Sequence, residues 1–207
     1  NEGYEIGSVG TVMPDVEVKI GENNEILLRG KTITTGYYKK PEATAAAIDR
    51  DGWFHTGDAG YLKDSHLYLT ERIKDLFKTS NGKYISPQAL ETKLAIDRYI
   101  DQIAVIADER KFVSALIVPV YGFVKDYAKE KGIAYSNMDE LLQHPKIQAL
   151  FRARIDTLQQ QFAHYEQVKR FTLLTEPFSM ERGELTNTLK LKRSVVAKNY
   201  KGLIDKM

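Results

Sequence analysis

Val16 and Val18 alternate with Glu17 and Lys19, the period of a strand with one covered face. A second apolar run, Ile26-Leu27-Leu28, follows the turn-forming Glu22-Asn23-Asn24. His66-Leu67-Tyr68-Leu69-Thr70 reads as another strand, paired with Ala59-Gly60-Tyr61-Leu62 across Lys63-Asp64-Ser65. One helix interrupts these strands: Pro41 to Ile48 sets proline in the first turn and good helix formers after it. Residues 1 to 72 therefore read as a β-rich, barrel-like packet with one helix.

After Arg72 to Lys74, where the domain boundary is expected, the pattern turns to mixed α and β. Ile73 to Thr79 and Lys83-Tyr84-Ile85 predict a small hairpin around Asn81-Gly82, a favoured tight-turn pair. Ser86-Pro87 opens a helix through Asp97, with serine as the N-cap and proline at the first helical position. Strands follow at Ile103 to Ile106 and Ser114 to Val120, and helices dominate from Tyr121 to Glu166. Within them Ile147, Leu150, Phe151, Ile155, Leu158 and Phe162 recur at helical spacing, a stripe suited to core packing. Lys169 to Leu174 predicts a strand and Arg193 to Leu203 a terminal helix. The expected fold class is α+β, with residues 73 to 207 forming a small sheet covered by helices.

Composition narrows the function. The 207 residues are 43% hydrophobic and 28% charged, enough for a buried core and an ordinary polar surface. Thirty basic against 28 acidic residues leave a formal charge of +2, without the basic excess of a nucleic-acid partner. The chain has no cysteine, which removes disulfides, thiolate metal sites and cysteine nucleophiles, and fits a reducing cytoplasm. His55, His66, His144 and His164 show no metal-ligand spacing, so no metal site is expected. No apolar run is long enough to span a bilayer. The opening Asn1-Glu2-Gly3-Tyr4 lacks a signal peptide's features, and the initial asparagine points to a start inside a longer protein.

Four segments can carry chemistry, and each has a plain alternative. In Trp53-Phe54-His55-Thr56-Gly57-Asp58, Asp58 either caps its own turn or accepts hydrogen bonds from ribose hydroxyls. In Glu71-Arg72-Ile73-Lys74-Asp75, Arg72 is either a solvated edge cation or a planar donor to ribose and phosphate oxygens. Thr79-Ser80-Asn81-Gly82-Lys83 is either a bare hairpin tip or a place where backbone approaches an extended ligand, and it is no P-loop. Thr186 to Arg193 is either a basic surface or the carrier of a lysine that stabilises charge on a transferring phosphoryl group.

The order of these segments resembles the adenylate-forming superfamily of acyl-CoA synthetases, luciferases and peptide-synthetase adenylation domains. The resemblance rests on Ile26-Leu27-Leu28-Arg29-Gly30, Gly36 to Thr44, Asp51 to Asp58, Glu71 to Asp75, Gly82 to Pro87 and Leu189 to Arg193, and runs along nearly the whole chain. It implies that Asp58 holds the ribose of ATP with help from Arg72, that Lys74 sits at a hinge, and that Gly82 lines the tunnel for the pantetheine of CoA. It implies for Lys190 contact with the substrate carboxylate and ATP phosphates during adenylation only. Glu71 stands where relatives often carry glycine or aspartate, and Leu189 departs from the common Pro-Lys-Thr late motif; the form here is similar to the long-chain fatty acyl-CoA synthetase branch.

That branch implies fatty acid, ATP and CoA as substrates, with Mg2+ accompanying ATP, and the protein's own N-terminal domain as a partner. None of these ligands is expected to bind the 207-residue chain tightly. The family's phosphate loop, adenine segment and acyl pocket are expected before residue 1, and the chain alone is expected to be inactive. Peripheral association with the inner membrane face suits a fatty acid substrate, although no basic amphipathic anchor stands out. An acyl-carrier-protein-loading enzyme and a non-catalytic interaction module of the same fold remain as alternatives.

Overall fold

The computed structural model describes residues 5–207, apart from the side chain of Lys74. The chain forms two compact units that divide between Leu76 and Phe77. The first contains strands β1 (Gly10–Thr11), β2 (Val16–Ile20) and β3 (Glu25–Gly30), helix α1 (Pro41–Ala47), and strands β4 (Phe54–Lys63) and β5 (His66–Arg72). They make one antiparallel sheet in the order β1-β5-β4-β3-β2. Along β2 the valines and Ile20 are half-buried and Glu17 and Lys19 exposed, as the alternation requires. Among the described residues, Ile26, Leu27, Ala59 and Tyr68 are the buried apolar ones of this unit.

The second unit begins with the short hairpin of β6 (Phe77–Lys78) and β7 (Tyr84–Ile85), followed by α2 (Pro87–Leu94), β8 (Ile100–Ile106) and β9 (Val113–Pro119). Helices α3 (Tyr121–Glu130), α4 (Met138–Gln143) and α5 (Pro145–Leu158) precede β10 (Val168–Leu173), and α6 (Arg193–Asn199) and α7 (Lys201–Ile204) close the chain. The sheet order is β10-β9-β8, with β9 parallel to β10 and antiparallel to β8.

Every residue of β9 is buried, because the sheet carries a core on each face. Val113, Ala115 and Ile117 join one cluster with Ile85, Leu90, Leu94, Val124, Ile147, Phe151 and Ile155. Leu116 and Val118 point the other way, into a second cluster with Phe178, Leu185, Val196 and Ile204. The α+β class and the helix-covered small sheet agree with the sequence.

Local departures have identifiable causes. Ile73–Asp75 is a 3-10 turn closed by the Leu76 N–H on the Ile73 carbonyl at 3.2 Å, so the strand expected from Ile73 starts only at Phe77. Helix α2 stops at Leu94 because Asp97, read as its last residue, is taken by the Tyr99 N–H at 2.9 Å and by Arg154. Helix α5 ends at Leu158, and Phe162 reaches the core from beyond it. The expected terminal helix is two, broken at Tyr200.

Candidate functional site

In the first unit, the pairing of β3 with β4 sets Leu27 opposite His55 and Glu25 opposite Ala59, which leaves Thr56, Gly57 and Asp58 facing Ile26. This is a bulge, a device that re-aims side chains out of a ladder. Gly57 makes it possible by adopting φ +71°, a conformation L side chains avoid. The Thr56 hydroxyl donates to the Ile26 carbonyl at 2.7 Å and accepts from the Asp58 N–H at 3.1 Å. Glu25 ties the other side: its Oε1 accepts from the Gly57 N–H at 3.0 Å and its Oε2 meets His55 Nδ1 at 2.9 Å.

Asp58 lies opposite Arg72 in the β4–β5 register, and Arg72 Nε reaches Asp58 Oδ1 at 3.2 Å. With the two side chains 34% and 74% exposed, the pair contributes no more than about 1 kcal/mol to stability. A three-residue bulge held by four hydrogen bonds is a large investment of structure for so small a return. Its product is an aspartate and an arginine presented together to solvent. Nearby, Asp49 accepts from the Trp53 and Asp51 N–H groups, and these bonds hold its carboxyl below the usual range.

In the second unit, Gly82 lies at the tip of the β6–β7 hairpin with φ +74° and no atom within 4 Å of where a Cβ would stand. Thr79 fixes the tip: its N–H donates to the Lys83 carbonyl at 2.9 Å, its carbonyl accepts from Gly82 at 2.8 Å, and its hydroxyl accepts from the Lys83 N–H at 3.1 Å. Ile85, fully buried in the first cluster, anchors the hairpin.

Lys190 sits on a tight loop whose ends meet at a bridge between Leu185 and Leu191. The Thr186 N–H donates to the Lys190 carbonyl at 2.8 Å, and the Thr186 hydroxyl accepts from the Lys190 N–H at 3.0 Å. Leu189 takes φ +59°, a strained conformation for leucine, and its side chain is exposed. Lys190 is exposed as well. Beneath the loop lies Glu184, with a side chain 1% exposed. Its carboxylate accepts from the Ser179 N–H at 3.0 Å, from Arg182 Nε at 3.1 Å and from Asn199 at 3.2 Å, while its carbonyl takes the Lys192 N–H at 2.8 Å. Burial pushes the Glu184 carboxyl up, but these donors outweigh it and the group titrates below its ordinary value.

The structure thus brings Asp58 and Arg72 together, and carries Gly82 and Lys190 on separate loops of the second unit. Those loops are rooted in clusters on opposite faces of the sheet: Ile85 in one, Leu185 and Leu191 in the other. The backbone of Lys74 belongs to the 3-10 turn, and its side chain lies outside the described residues. Among the described residues no three histidine or acidic side chains gather to hold a metal ion. Glu25 and Glu184 were invisible to motif reading, since Glu25 finds its partners 30 and 32 positions away and nothing in Gly183-Glu184-Leu185 marks a buried carboxylate.

A sequence model described as AMP-binding enzyme C-terminal domain matches residues 74–207. The chain belongs to this family. It is 34% identical over 219 residues to a peroxisomal long chain acyl-CoA synthetase of Arabidopsis thaliana, aligning over 97% of the chain and 31% of that protein. It is 33% identical over 202 residues to a long-chain-fatty-acid–CoA ligase of Mycobacterium tuberculosis, over 97% of the chain and 34% of the relative. The chain thus spans about a third of the length of the curated relatives it matches. Among solved structures, the adenylation domain of a carboxylate reductase from Mycobacterium chelonae superimposes with a TM-score of 0.70 at 24% identity, over 98% of this chain and 33% of that one. That likeness establishes the fold, which is that of adenylate-forming enzymes. Among the described residues no helix is long and apolar enough to cross a membrane.

Proposed function

We propose that this chain is the C-terminal portion of an ATP-dependent long-chain fatty-acid–CoA ligase. One observation carries the reading: an AMP-binding C-terminal domain aligns along almost its whole length with relatives named as long-chain ligases. The Asp58–Arg72 pair supports it, because a carboxylate beside a guanidinium suits the hydroxyls and charge of a nucleotide ribose. Asp58 accepts from the ribose hydroxyls of ATP, and Arg72 steadies the same group.

In the first step a fatty carboxylate attacks the α-phosphorus of ATP, an acyl-adenylate forms, and pyrophosphate leaves. Negative charge builds on the transferring group, and the exposed ammonium of Lys190, on a loop that is already ordered, stabilises it. In the second step the CoA thiol attacks the acyl carbonyl and AMP departs with the bonding pair. There Lys190 is unnecessary, and the side-chain-free tip at Gly82 lets the pantetheine pass. The unit beyond Lys74 turns about that residue between steps. Mg2+ accompanying ATP would be held chiefly by the phosphates and would neutralise their charge; among the described residues no three histidine or acidic side chains gather to hold it. The cysteine-free composition suits a reducing cytoplasmic setting.

The test is Lys190→Ala in the full-length protein with the two half-reactions measured apart. Fatty-acid-dependent pyrophosphate release should fall about 10²–10³-fold, while thioester formation from preformed acyl-adenylate and CoA persists. Retention of both would refute the assignment and favour an interaction module.

A further inference from the structure

Lys190 is held on its N-terminal side by Thr186; on its C-terminal side, beyond the backbone ties of Leu191 and Lys192, the segment is clasped by the side chain of Arg193, the first residue of α6. The Arg193 guanidinium forms a two-pronged pair with Glu91 of α2, Nη1 to Oε1 at 2.5 Å and Nη2 to Oε2 at 2.7 Å. Glu91 Oε1 also accepts the Val105 N–H at 2.8 Å, on the edge strand β8. Arg193 lies over the Phe77 ring at 5.6 Å. The pair is well covered, Glu91 at 12% and Arg193 at 27% exposure. One guanidinium thus joins the segment after Lys190 to α2, to the sheet edge and to the first strand of the unit.

We infer that the Glu91–Arg193 pair is a positioning device for Lys190, the second of two fixed points between which the lysine is strung. A parallel fork sets the orientation as well as the distance of the groups it joins, which a single-point contact cannot do. Capping the Val105 N–H needs only an acceptor on α2, so edge capping alone does not account for an arginine drawn from 102 residues away. Only Leu191 and Lys192 separate the clasp from Lys190, and Leu191 is itself bridged to Leu185 and packed on the second cluster. Lys192 is tied as well, its N–H donating to the Glu184 carbonyl at 2.8 Å. This inference rests on the adenylating role proposed for Lys190, and it makes the clasp matter to one half-reaction only.

The experiment uses the full-length protein with Arg193→Lys, which keeps the charge and loses the fork, and Glu91→Gln, which keeps the shape and an acceptor for the Val105 N–H. Lys190→Ala serves as the reference. Both clasp variants should lower kcat for pyrophosphate release about 10–100-fold, the range for displaced support of a reacting group. The rate of thioester formation from acyl-adenylate should stay within about threefold, since that step does not use Lys190. In the Lys190→Ala background, Arg193→Lys should cost adenylation nothing further, because the residue it positions is gone. Equal losses in both half-reactions would overturn the inference and leave the clasp as a fold contact. So would unchanged adenylation in variants whose Lys190→Ala counterpart is inactive, and there the role of Lys190 itself would stand. An inert Lys190→Ala substitution would overturn the role and the clasp together.

Discussion

Glu184→Gln is the substitution whose consequences the geometry sets most tightly. The wild-type carboxylate is 1% exposed and accepts from Ser179, Arg182 and Asn199. Glutamine keeps the shape but removes the charge and turns one acceptor into a donor that faces other donors. Hydrogen bonds to charged groups contribute about 1.5–3 kcal/mol. Arg182, 39% exposed, can turn to water, so the cost falls short of the roughly 3–5 kcal/mol of a fully buried broken pair. We expect about 2 kcal/mol and a fall in the melting temperature of the second unit of roughly 6–8 °C.

The pH dependence has a definite sign. The folded carboxyl titrates below its ordinary 4.5, so its stabilisation is present above that value and is lost as pH falls through the lower folded value. The variant lacks this titration. The gap between wild type and variant should therefore be full at pH 7 and should narrow below about pH 4.5. Thermal unfolding by circular dichroism over a pH series measures both effects. A shift under about 1 °C at pH 7, or a gap that persists undiminished in acid, would refute the account.

Other substitutions test the three exposed sites. Asp58→Asn in the full-length protein should raise KM for ATP about tenfold, the loss of one charged hydrogen bond, and move the melting temperature by no more than a degree or so. Gly82→Ala forces an L side chain to φ +74° and should destabilise the hairpin by about 1–2 kcal/mol. It should slow thioester formation and spare pyrophosphate release; the opposite selectivity would remove Gly82 from the thiol path. Leu189→Gly relieves φ +59° and should stabilise the second unit by about 0.5–1 kcal/mol in urea unfolding, a gain that disappears if the loop is not held as described.

Elements governed by neighbours in the chain were legible in the sequence. Ser86 caps α2 as read, its hydroxyl accepting from the Ala89 N–H at 3.1 Å, and Pro87 takes the first turn. The alternation from Val16 to Lys19 gave β2 its faces. Elements governed by distant partners were not. Asp97 looks like a helix residue until Arg154 claims it from 57 positions away. Strand β9 was read within a residue of its bounds, but not that both its faces, Ser114 included, would be buried. The Thr56-Gly57-Asp58 turn was readable as a motif, but the Glu25 carboxylate that supports it was not. Motifs record the residues that face a ligand; their supports are specified by the fold.

The arrangement of the second unit bears on how one domain could serve two reactions that make opposite demands. Adenylation needs a cation where charge accumulates, whereas thioester formation needs a narrow path that no long side chain obstructs. In the proposed ligase Lys190 and Gly82 meet these demands separately, and neither loop has much freedom to exchange places with the other. The hairpin tip is closed by bonds from Thr79, and the lysine loop by Thr186 on one side and the Glu91–Arg193 clasp on the other. Their anchors, Ile85 and the Leu185–Leu191 bridge, belong to clusters separated by the buried strand β9. Local rearrangement would have to break one core or the other, whereas moving the unit as a body breaks neither. If the proposed ligase activity is correct, alternation between the steps therefore follows from rigidity within the unit, and substitutions that loosen either loop should blur the separation of the half-reactions without accelerating either.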